Sequence, residues 1–137
     1  MIVEPDAIRC CLRALAQAQA TYFYRLWTDL YGKPMRAGPR LQFQIGRSDA
    51  GGDSAFVTLF VDAAREDSRE VTWAVELFAS SDRLDVSCYV GVNDDDGFHK
   101  VFDRSASTTL AREAADAIDR LAAEVCAQGQ YIQAPPT

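Results

Sequence analysis

The chain has 137 residues, of which 48% are hydrophobic and 25% are charged, and its formal net charge is −6. This length and composition predict one folded domain and exclude a disordered chain. The acidic balance argues against proteins that neutralise nucleic-acid phosphates and against those that bind anionic membrane surfaces.

The expected cellular setting follows from features that the sequence lacks. No stretch approaches the run of about 18 apolar residues that a membrane-spanning helix needs. Residues 1–30 have neither the basic start nor the apolar core of a secretion signal. The four cysteines, Cys10, Cys11, Cys88 and Cys126, show no CxxC or zinc-like spacing. We therefore expect a cytoplasmic protein whose cysteines are buried, reduced hydrophobic residues.

The first predicted element is a long helix over residues 5–32. Pro5 suits the first turn of a helix, and Gly32 suits its end. Hydrophobic residues recur at helical spacing, and Phe23 and Trp27 widen the apolar stripe that they form. Because this stripe is wider than one buried side requires, we expect the helix to pack on two sides.

The segment from residue 41 to residue 102 alternates hydrophobic and polar residues, which indicates five strands separated by turn sequences. When the strands are aligned as four hairpins, the large apolar residues fall on one common face. The sequence therefore predicts an antiparallel meander with strand order 1-2-3-4-5. The pairings that set this alignment are Ile45 with Val57, Val61 with Val71, Leu77 with Leu84 and Val92 with Phe98.

The chain is predicted to return to a helix over about residues 108–128. Its apolar stripe includes Leu110, Ile118 and Val125, and Gly129 ends it. Two helices can cover the apolar face of the meander, which predicts an α+β fold built as a two-layer sandwich with topology α-β-β-β-β-β-α. We expect residues 1–130 to form this single domain and residues 131–137 to form a flexible tail.

The other face of the predicted sheet carries more aromatic residues than a solvated face normally does. Phe56, Phe60, Phe78 and Tyr89 fall there among short polar residues, which is typical of protein–protein contacts. The alternative is that part of the N-terminal helix covers this face. The remaining positions predicted for it are Gln42, Gln44, Thr58, Thr72, Ala74, Glu76, Asp85, Ser87 and His99.

Two carboxylates are predicted to face each other on this side of the sheet. The alignment sets Glu76 opposite Asp85, and adjacent carboxylates repel and raise one pKa. One interpretation is a general acid–base pair like that of a glycosidase. The other is a pair that receives a lysine or arginine of a partner, or that simply points apart into solvent. We favour the second, because the pair lies near a sheet end without a deep cleft.

The segment YVGVNDDDGFHK, residues 89–100, contains Asp94, Asp95 and Asp96 and the only histidine of the chain. The spacing does not fit a calcium loop of the EF-hand type, whose first ligand position would be Val92. We interpret the three acids as a hairpin turn in which Gly97 takes the left-handed conformation.

The same alignment bears on a cysteine nucleophile and on the edge of the sheet. It places Cys88 in the core and His99 on the opposite face, which argues against a Cys–His pair. Lys100 falls on the inner face of the last strand, where a charge would oppose edge-to-edge aggregation. Sequences of the GxSxG, P-loop and GxGxxG types are also missing. We therefore expect no catalytic residues, no cofactor and no metal.

The order of the elements, ending in VFDRSA and the helix STTLAREAADAIDRLAAEVCAQ, resembles that of type III secretion chaperones and the related YbjN-like proteins. That resemblance implies an acidic α+β protein that binds a secreted effector, and such proteins are usually dimeric. They place a helix between the third and fourth strands, whereas only ASSDR joins these strands here. The resemblance therefore does not extend to chaperone-type dimerisation.

Small acidic single-domain chains of this kind are also similar to immunity proteins of bacterial toxin systems, which neutralise a usually basic toxin. This resemblance implies that the acids contact lysine or arginine residues of the toxin through complementary charge. Our leading hypothesis is thus a non-enzymatic protein-binding module, immunity-like or chaperone-like. The partner-binding residues that we predict are Phe56, Phe60, Glu76, Phe78, Asp85, Tyr89, Asp94, Asp95 and Asp96.

Two alternatives remain open on the sequence. One is a small-ligand-binding or enzymatic domain with a pocket between the sheet and the N-terminal helix, lined by Tyr22, Trp27 and Trp73. The other is a structural homodimer formed through the aromatic face.

Overall fold

The fold is known from a computed structural model that describes residues 5–31, 40–47, 53–80 and 82–133. Three α-helices, one π-helical turn and one 3-10 turn accompany the strands in these ranges. The elements are α1 (Pro5–Ala18), a π-helical turn (Gln19–Phe23), α2 (Tyr24–Tyr31), β1 (Arg40–Arg47), β2 (Asp53–Ala64), β3 (Glu70–Ala79), β4 (Leu84–Asp94), β5 (Gly97–Thr108), α3 (Ala111–Cys126) and a 3-10 turn (Gly129–Ile132).

The strands β2, β3, β4 and β5 form an antiparallel sheet in which chain neighbours pair. The backbone of β1 pairs antiparallel with the free edge of β2. Helix α3 lies across β3, β4 and β5, and α1 packs against α3. The predicted α+β class, with an antiparallel sheet and flanking helices, is confirmed. Within the described parts of the chain, no helix is long and apolar enough to cross a membrane.

The N-terminal helical segment is continuous, but it is not regular throughout. Ala18 and Tyr24, on either side of the π-helical turn, both have right-handed helical backbone angles. The turn inserts extra residues into the helical ladder without ending it. Cys11, Leu15 and Phe23 are fully buried along this segment, so one side of it contributes to the core.

The hydrophobic core lies between the helices and one face of the sheet. Trp73 is its largest fully buried side chain, and its indole Nε1–H donates a hydrogen bond to the backbone carbonyl of Gln128, 2.9 Å away. The Tyr22 hydroxyl donates to Asp119 Oδ1 at 2.9 Å, which links the N-terminal segment to α3 and raises the pKa of Tyr22. Leu110, which was predicted in the apolar stripe of α3, is instead exposed and precedes the helix.

The strand registers differ from the predicted ones by two residues in the first three hairpins. Val61 pairs with Trp73 rather than Val71, and Leu77 pairs with Val86 rather than Leu84. In the same way, Ala55 rather than Val57 lies opposite Ile45. Because side chains alternate with a period of two, a shift of two residues keeps every side chain on its predicted face. The predicted faces of β2, β3 and β4 are therefore right, although the cross-strand partners are not.

Backbone hydrogen bonds close the turns of the second and third hairpins. The β2–β3 loop is closed by a backbone hydrogen bond from Arg65 N to Arg69 O at 2.7 Å. The β3–β4 connection is closed by a bond from Ser80 N to Arg83 O at 3.0 Å, with Ser80 Oγ donating to Asp82 at 2.9 Å. The position of each turn sets which residues of the two flanking strands pair.

The chain after α3 stays attached to the core beyond the predicted domain limit at residue 130. Tyr131 and Ile132, both assigned to the flexible tail by sequence, pack against the hydrophobic core. The Tyr131 hydroxyl also donates to the backbone carbonyl of Val101 at 3.3 Å. The rest of the predicted tail, residues 134–137, lies outside the described residues.

A buried arginine organises the β2–β3 loop and gives stability a dependence on pH. The side chain of Arg65 is only 4% exposed, and its Nε and Nη2 donate to the two carboxylate oxygens of Asp67 at 3.0 and 2.7 Å. These hydrogen bonds hold the pKa of Asp67 below its usual range. The ionised carboxylate therefore stabilises the fold above the ordinary aspartate pKa of about 3.9, and this contribution is lost as the pH falls through the folded-state value.

We expect Asp67→Asn to be less stable than the wild type at neutral pH. The difference should shrink as the pH is lowered from about 5 to about 2, since the wild-type carboxylate then becomes protonated as well. Urea unfolding at a series of pH values measures this difference. Asp95→Asn removes the same charge from an exposed turn and serves as the control. Equal losses in both variants would contradict a specific role for Asp67.

Candidate protein-binding face

The outward side of β2, β3, β4 and β5, opposite the core, is hereafter called the open face. The predicted aromatics Phe56, Phe60, Phe78 and Tyr89 all lie on it, and each is half-buried. None of them belongs to the hydrophobic core that the helices share with the sheet. Among the described helices, none therefore covers these rings, in contrast to the alternative that the N-terminal helix packs there.

Cross-strand pairing arranges the open face in rows. Phe56 lies opposite Phe78, so two phenylalanines are neighbours on β2 and β3. In another row, Phe60 and Tyr89 flank Ala74, which is fully buried beneath its neighbours. Thr58, Glu76 and Ser87 form a polar row between these two aromatic rows. Aromatic rings that alternate with polar side chains in this way are suited to protein contact.

Three carboxylates of the open face each accept a hydrogen bond from a hydroxyl on the neighbouring strand. Thr58 Oγ1 donates to Glu76 at 3.0 Å, and Thr72 Oγ1 donates to Asp62 at 2.6 Å. The hydroxyl of Ser107 on β5 donates to the carboxylate of Asp85 on β4. Each of these bonds joins residues that are directly opposite in the register. A hydroxyl donor orients a carboxylate but does not neutralise its charge.

The predicted pairing of Glu76 with Asp85 is wrong. Glu76 lies opposite Ser87, and Asp85 lies opposite Phe78, because the β3–β4 register is shifted by two. Asp85 also receives a hydrogen bond from Arg83 Nε at 3.1 Å. The two carboxylates share a face but are not the facing pair on which the acid–base interpretation rested.

The three consecutive aspartates form the tip of the β4–β5 hairpin, as predicted. Asp94 pairs with Gly97, which leaves Asp95 and Asp96 as the exposed turn residues. Gly97 has a φ of 112°, so it takes the positive-φ conformation that a glycine is needed for. The Asp94 carboxylate accepts from Asp96 N at 2.8 Å and contacts His99 Nε2 at 3.2 Å. These contacts, the backbone bond first, hold the pKa of Asp94 below its usual range.

The start of β5 is turned over relative to the prediction. Val92 pairs with His99 rather than with Phe98, so His99 is on the core side and Phe98 and Lys100 are on the open face. The predicted inward position of Lys100 is therefore wrong, as is the predicted outward position of His99. A bulge near Val101 returns the rest of β5 to its predicted faces, because Val90 pairs with Phe102 beyond the bulge.

The turned-over segment adds residues to the open face that sequence reasoning missed. The Lys100 ammonium lies 4.9 Å from the centroid of the Tyr89 ring, and Phe98 makes an edge contact with Tyr89 at 5.6 Å. The Phe98 ring occupies the space above Gly91, where an added Cβ would come within 2.0 Å of its Cζ. A glycine inside a strand often marks such a close approach, and Gly91 was the signal in the sequence.

Tyr89 is set in a partly buried and negatively charged part of the open face. Burial, and to a smaller extent the nearby carboxylates of Glu76 and Asp62, raise the pKa of Tyr89 to about 12. The phenol is therefore neutral at physiological pH. Its ring presents an electron-rich surface that cations favour.

The four cysteines were expected to be buried, but only two of them are. Cys11 and Cys88 are buried, whereas Cys10 and Cys126 are half-buried. Burial raises the pKa of Cys11 and of Cys88 to about 11 and also raises that of Cys126. Cys88 faces Arg104, while His99 lies at the turn end of β5. Across the described residues, histidine, cysteine and acidic side chains form no group of three or more that could hold a metal ion.

The pocket predicted from Tyr22, Trp27 and Trp73 is not formed by those three residues together. Trp73 is fully buried in the core. Tyr22 borders a groove of about 340 Å³ between the N-terminal helical segment and the end of α3, and neither tryptophan lines it. The other residues that line this groove are Thr21, Arg25, Leu26, Asp29, Ala123, Cys126 and Ala127.

The predicted partner-binding residues thus fall into two groups. Phe56, Phe60, Phe78 and Tyr89, with the carboxylates Glu76 and Asp85, share the open face. Asp94, Asp95 and Asp96 lie apart from them, at the β4–β5 turn. Comparisons of the chain with protein-family models, with curated proteins and with solved structures found no match.

Proposed function

We propose that this protein is a non-enzymatic binding module that engages another protein through the open face, in the manner of an immunity protein or a secretion chaperone. The observation that carries the proposal is the combination of half-buried aromatic rings with oriented carboxylates on a sheet face. The described helices pack on the opposite face. An exposed aromatic surface of this kind is costly in a monomer unless a partner covers it.

The proposal takes the whole sheet as a five-stranded meander in which β1 extends the same face. By register, Gln44 lies opposite Phe56 and Gln42 lies opposite Thr58.

Self-association through the same face is the less favoured arrangement. A symmetric dimer would bring the carboxylates of two copies together, among them Asp62, Glu76 and Asp85, and like charges buried across an interface repel. A different protein with complementary charge avoids this cost. The expected partner is therefore a basic toxin or a secreted effector.

Site-specific photocrosslinking in the cells that make the protein tests the proposal. A benzophenone amino acid replaces Phe60 or Ser87 on the open face in separate variants. Matched variants carry it at Arg112 or Asp116, two exposed positions of α3. We expect one protein to crosslink to both open-face positions and not to the α3 positions.

A binding experiment with the two purified proteins then decides whether the crosslinked protein is a true partner. The crosslinked protein, isolated separately, should form a stable complex with the wild-type chain in size-exclusion chromatography. Equal crosslinking from α3, or only self-crosslinks at twice the monomer mass, would overturn the proposal in favour of another surface or a homodimer.

A further inference from the structure

We infer that the open face accepts a cationic segment of its protein partner, with a lysine or arginine side chain seated on the Tyr89 ring where Lys100 now sits. This inference rests on the proposed function and names the chemistry of the partner. Its evidence is the charge of the open face and the position of one intramolecular cation.

The open face is strongly unbalanced in charge. The residues that β2, β3, β4 and β5 contribute to it include one ammonium group, that of Lys100. Its acidic residues are Asp62, Glu70, Glu76, Asp85 and Asp103. Arg83, at the entrance to β4, contacts Asp85 from the end of the sheet. An interface with this excess of negative charge is complementary to a basic segment.

Hydrogen bonds within the open face fix the orientation of its carboxylates without cancelling their charge. Glu76 and Asp62 are held by the threonine hydroxyls of the facing strand at 3.0 and 2.6 Å. A hydroxyl donor does not cancel the charge of a carboxylate but restricts its rotamers, so an incoming cation finds acceptors that are already ordered. Such preorganisation lowers the entropy cost of binding.

Lys100 shows where a cation fits on this surface. Its ammonium lies 4.9 Å from the Tyr89 centroid, and Phe98 supports the same ring from its edge. Lys100 belongs to the edge strand and is exposed, so its flexible side chain can move into solvent without disturbing the sheet. A partner cation on the Tyr89 ring would be close to Glu76 and Asp62, whose charges already act on Tyr89.

Lys100 is therefore a competitor of the partner cation as well as a marker of its position. Its removal frees the Tyr89 ring and removes one positive charge from the face. The removal of Glu76 takes away one of the carboxylates that a cation would approach. The two changes should affect the binding of a cationic peptide in opposite directions.

Titration of a fluorescein-labelled nona-arginine peptide, followed by anisotropy at fixed ionic strength, tests the inference. Lys100→Ala is compared with Arg112→Ala, which removes the same charge from α3. Glu76→Gln is compared with Asp116→Asn in the same way. We expect Lys100→Ala to tighten binding by about two- to fivefold relative to Arg112→Ala, the effect of one exposed cation–π contact. Glu76→Gln should weaken binding more than Asp116→Asn.

Equal effects within each matched pair would overturn the inference, because binding would then follow net charge alone. In an NMR titration with the same peptide, chemical-shift changes confined to the Asp94–Asp96 turn would overturn the inference as well. Failure of the inference is distinguishable from failure of the proposed function. If a crosslinked partner engages Phe60 and Ser87 but is unaffected by Lys100→Ala, the protein interface stands and the cation site does not.

Discussion

Replacing Trp73 with alanine should lower the free energy of unfolding by about 3–5 kcal/mol, the range for removal of a large core aromatic. Trp73 is fully enclosed, so its deletion leaves a cavity that a rigid sheet and helix cannot readily close. It also leaves the Gln128 carbonyl without the indole donor at 2.9 Å. Urea unfolding followed by far-UV circular dichroism measures the loss without relying on tryptophan fluorescence.

Trp73→Phe separates the two contributions and keeps the test decisive if the alanine variant does not fold. It retains most of the buried aromatic volume but removes the hydrogen bond to Gln128. We expect a smaller loss, of about 1–3 kcal/mol, because a buried carbonyl loses its partner. Phe98→Ala, which truncates a 47% exposed ring, is the control and should cost much less. Equal losses in the Trp73 and Phe98 variants would contradict the assignment of Trp73 to the core.

Replacing Phe60 with alanine should weaken the complex with the crosslinked partner by about 2 kcal/mol, or roughly 30-fold in Kd, as expected for an aromatic near the centre of an interface. Phe60 lies beside Ala74 and across from Tyr89, so it is central to the aromatic surface. Isothermal titration calorimetry with the purified partner gives the Kd directly.

Phe102→Ala is the matched control, because Phe102 is a half-buried phenylalanine of the same sheet that packs against the core. Its truncation should reduce stability and leave the Kd nearly unchanged under conditions where the variant stays folded. Phe60→Ala should raise the Kd and leave the stability nearly unchanged. A Phe60 variant that binds like the wild type would remove the open face from the interface.

The four strands from β2 to β5 illustrate how hydrophobic alternation can predict a fold and still misplace its contacts. Val57, Leu77 and Leu84 were assigned to the core face, and all three are buried there. Their cross-strand partners nevertheless differ from the prediction, as with Leu77, which pairs with Val86 and not with Leu84. Alternation has a period of two, so it cannot distinguish two registers that differ by two residues. Turn hydrogen bonds, such as the one between Ser80 and Arg83, decide between them.

The last hairpin shows a different limit. Gly97 and the adjacent aspartates predicted the turn, but the number of residues in it fixed whether Phe98 and Lys100 point inward or outward. A two-residue turn followed by a bulge near Val101 reverses the faces of only four residues. Because the bulge compensates for the short turn, the apolar pattern in the rest of β5 is the same as without either of them. The hydrophobic periodicity of the sequence therefore cannot reveal them.

The sequence by itself determined the α+β class, the core face of the strands and the presence of aromatic residues on the opposite face. Each of these depends on local periodicity, which side chains impose through burial. Only the tertiary structure decided which side chains meet across strands: Lys100 with Tyr89, Thr58 with Glu76, and Asp85 with Ser107. Cross-strand contacts depend on turn length and bulges, whose energies are small compared with core burial but which fix the register of every residue that follows.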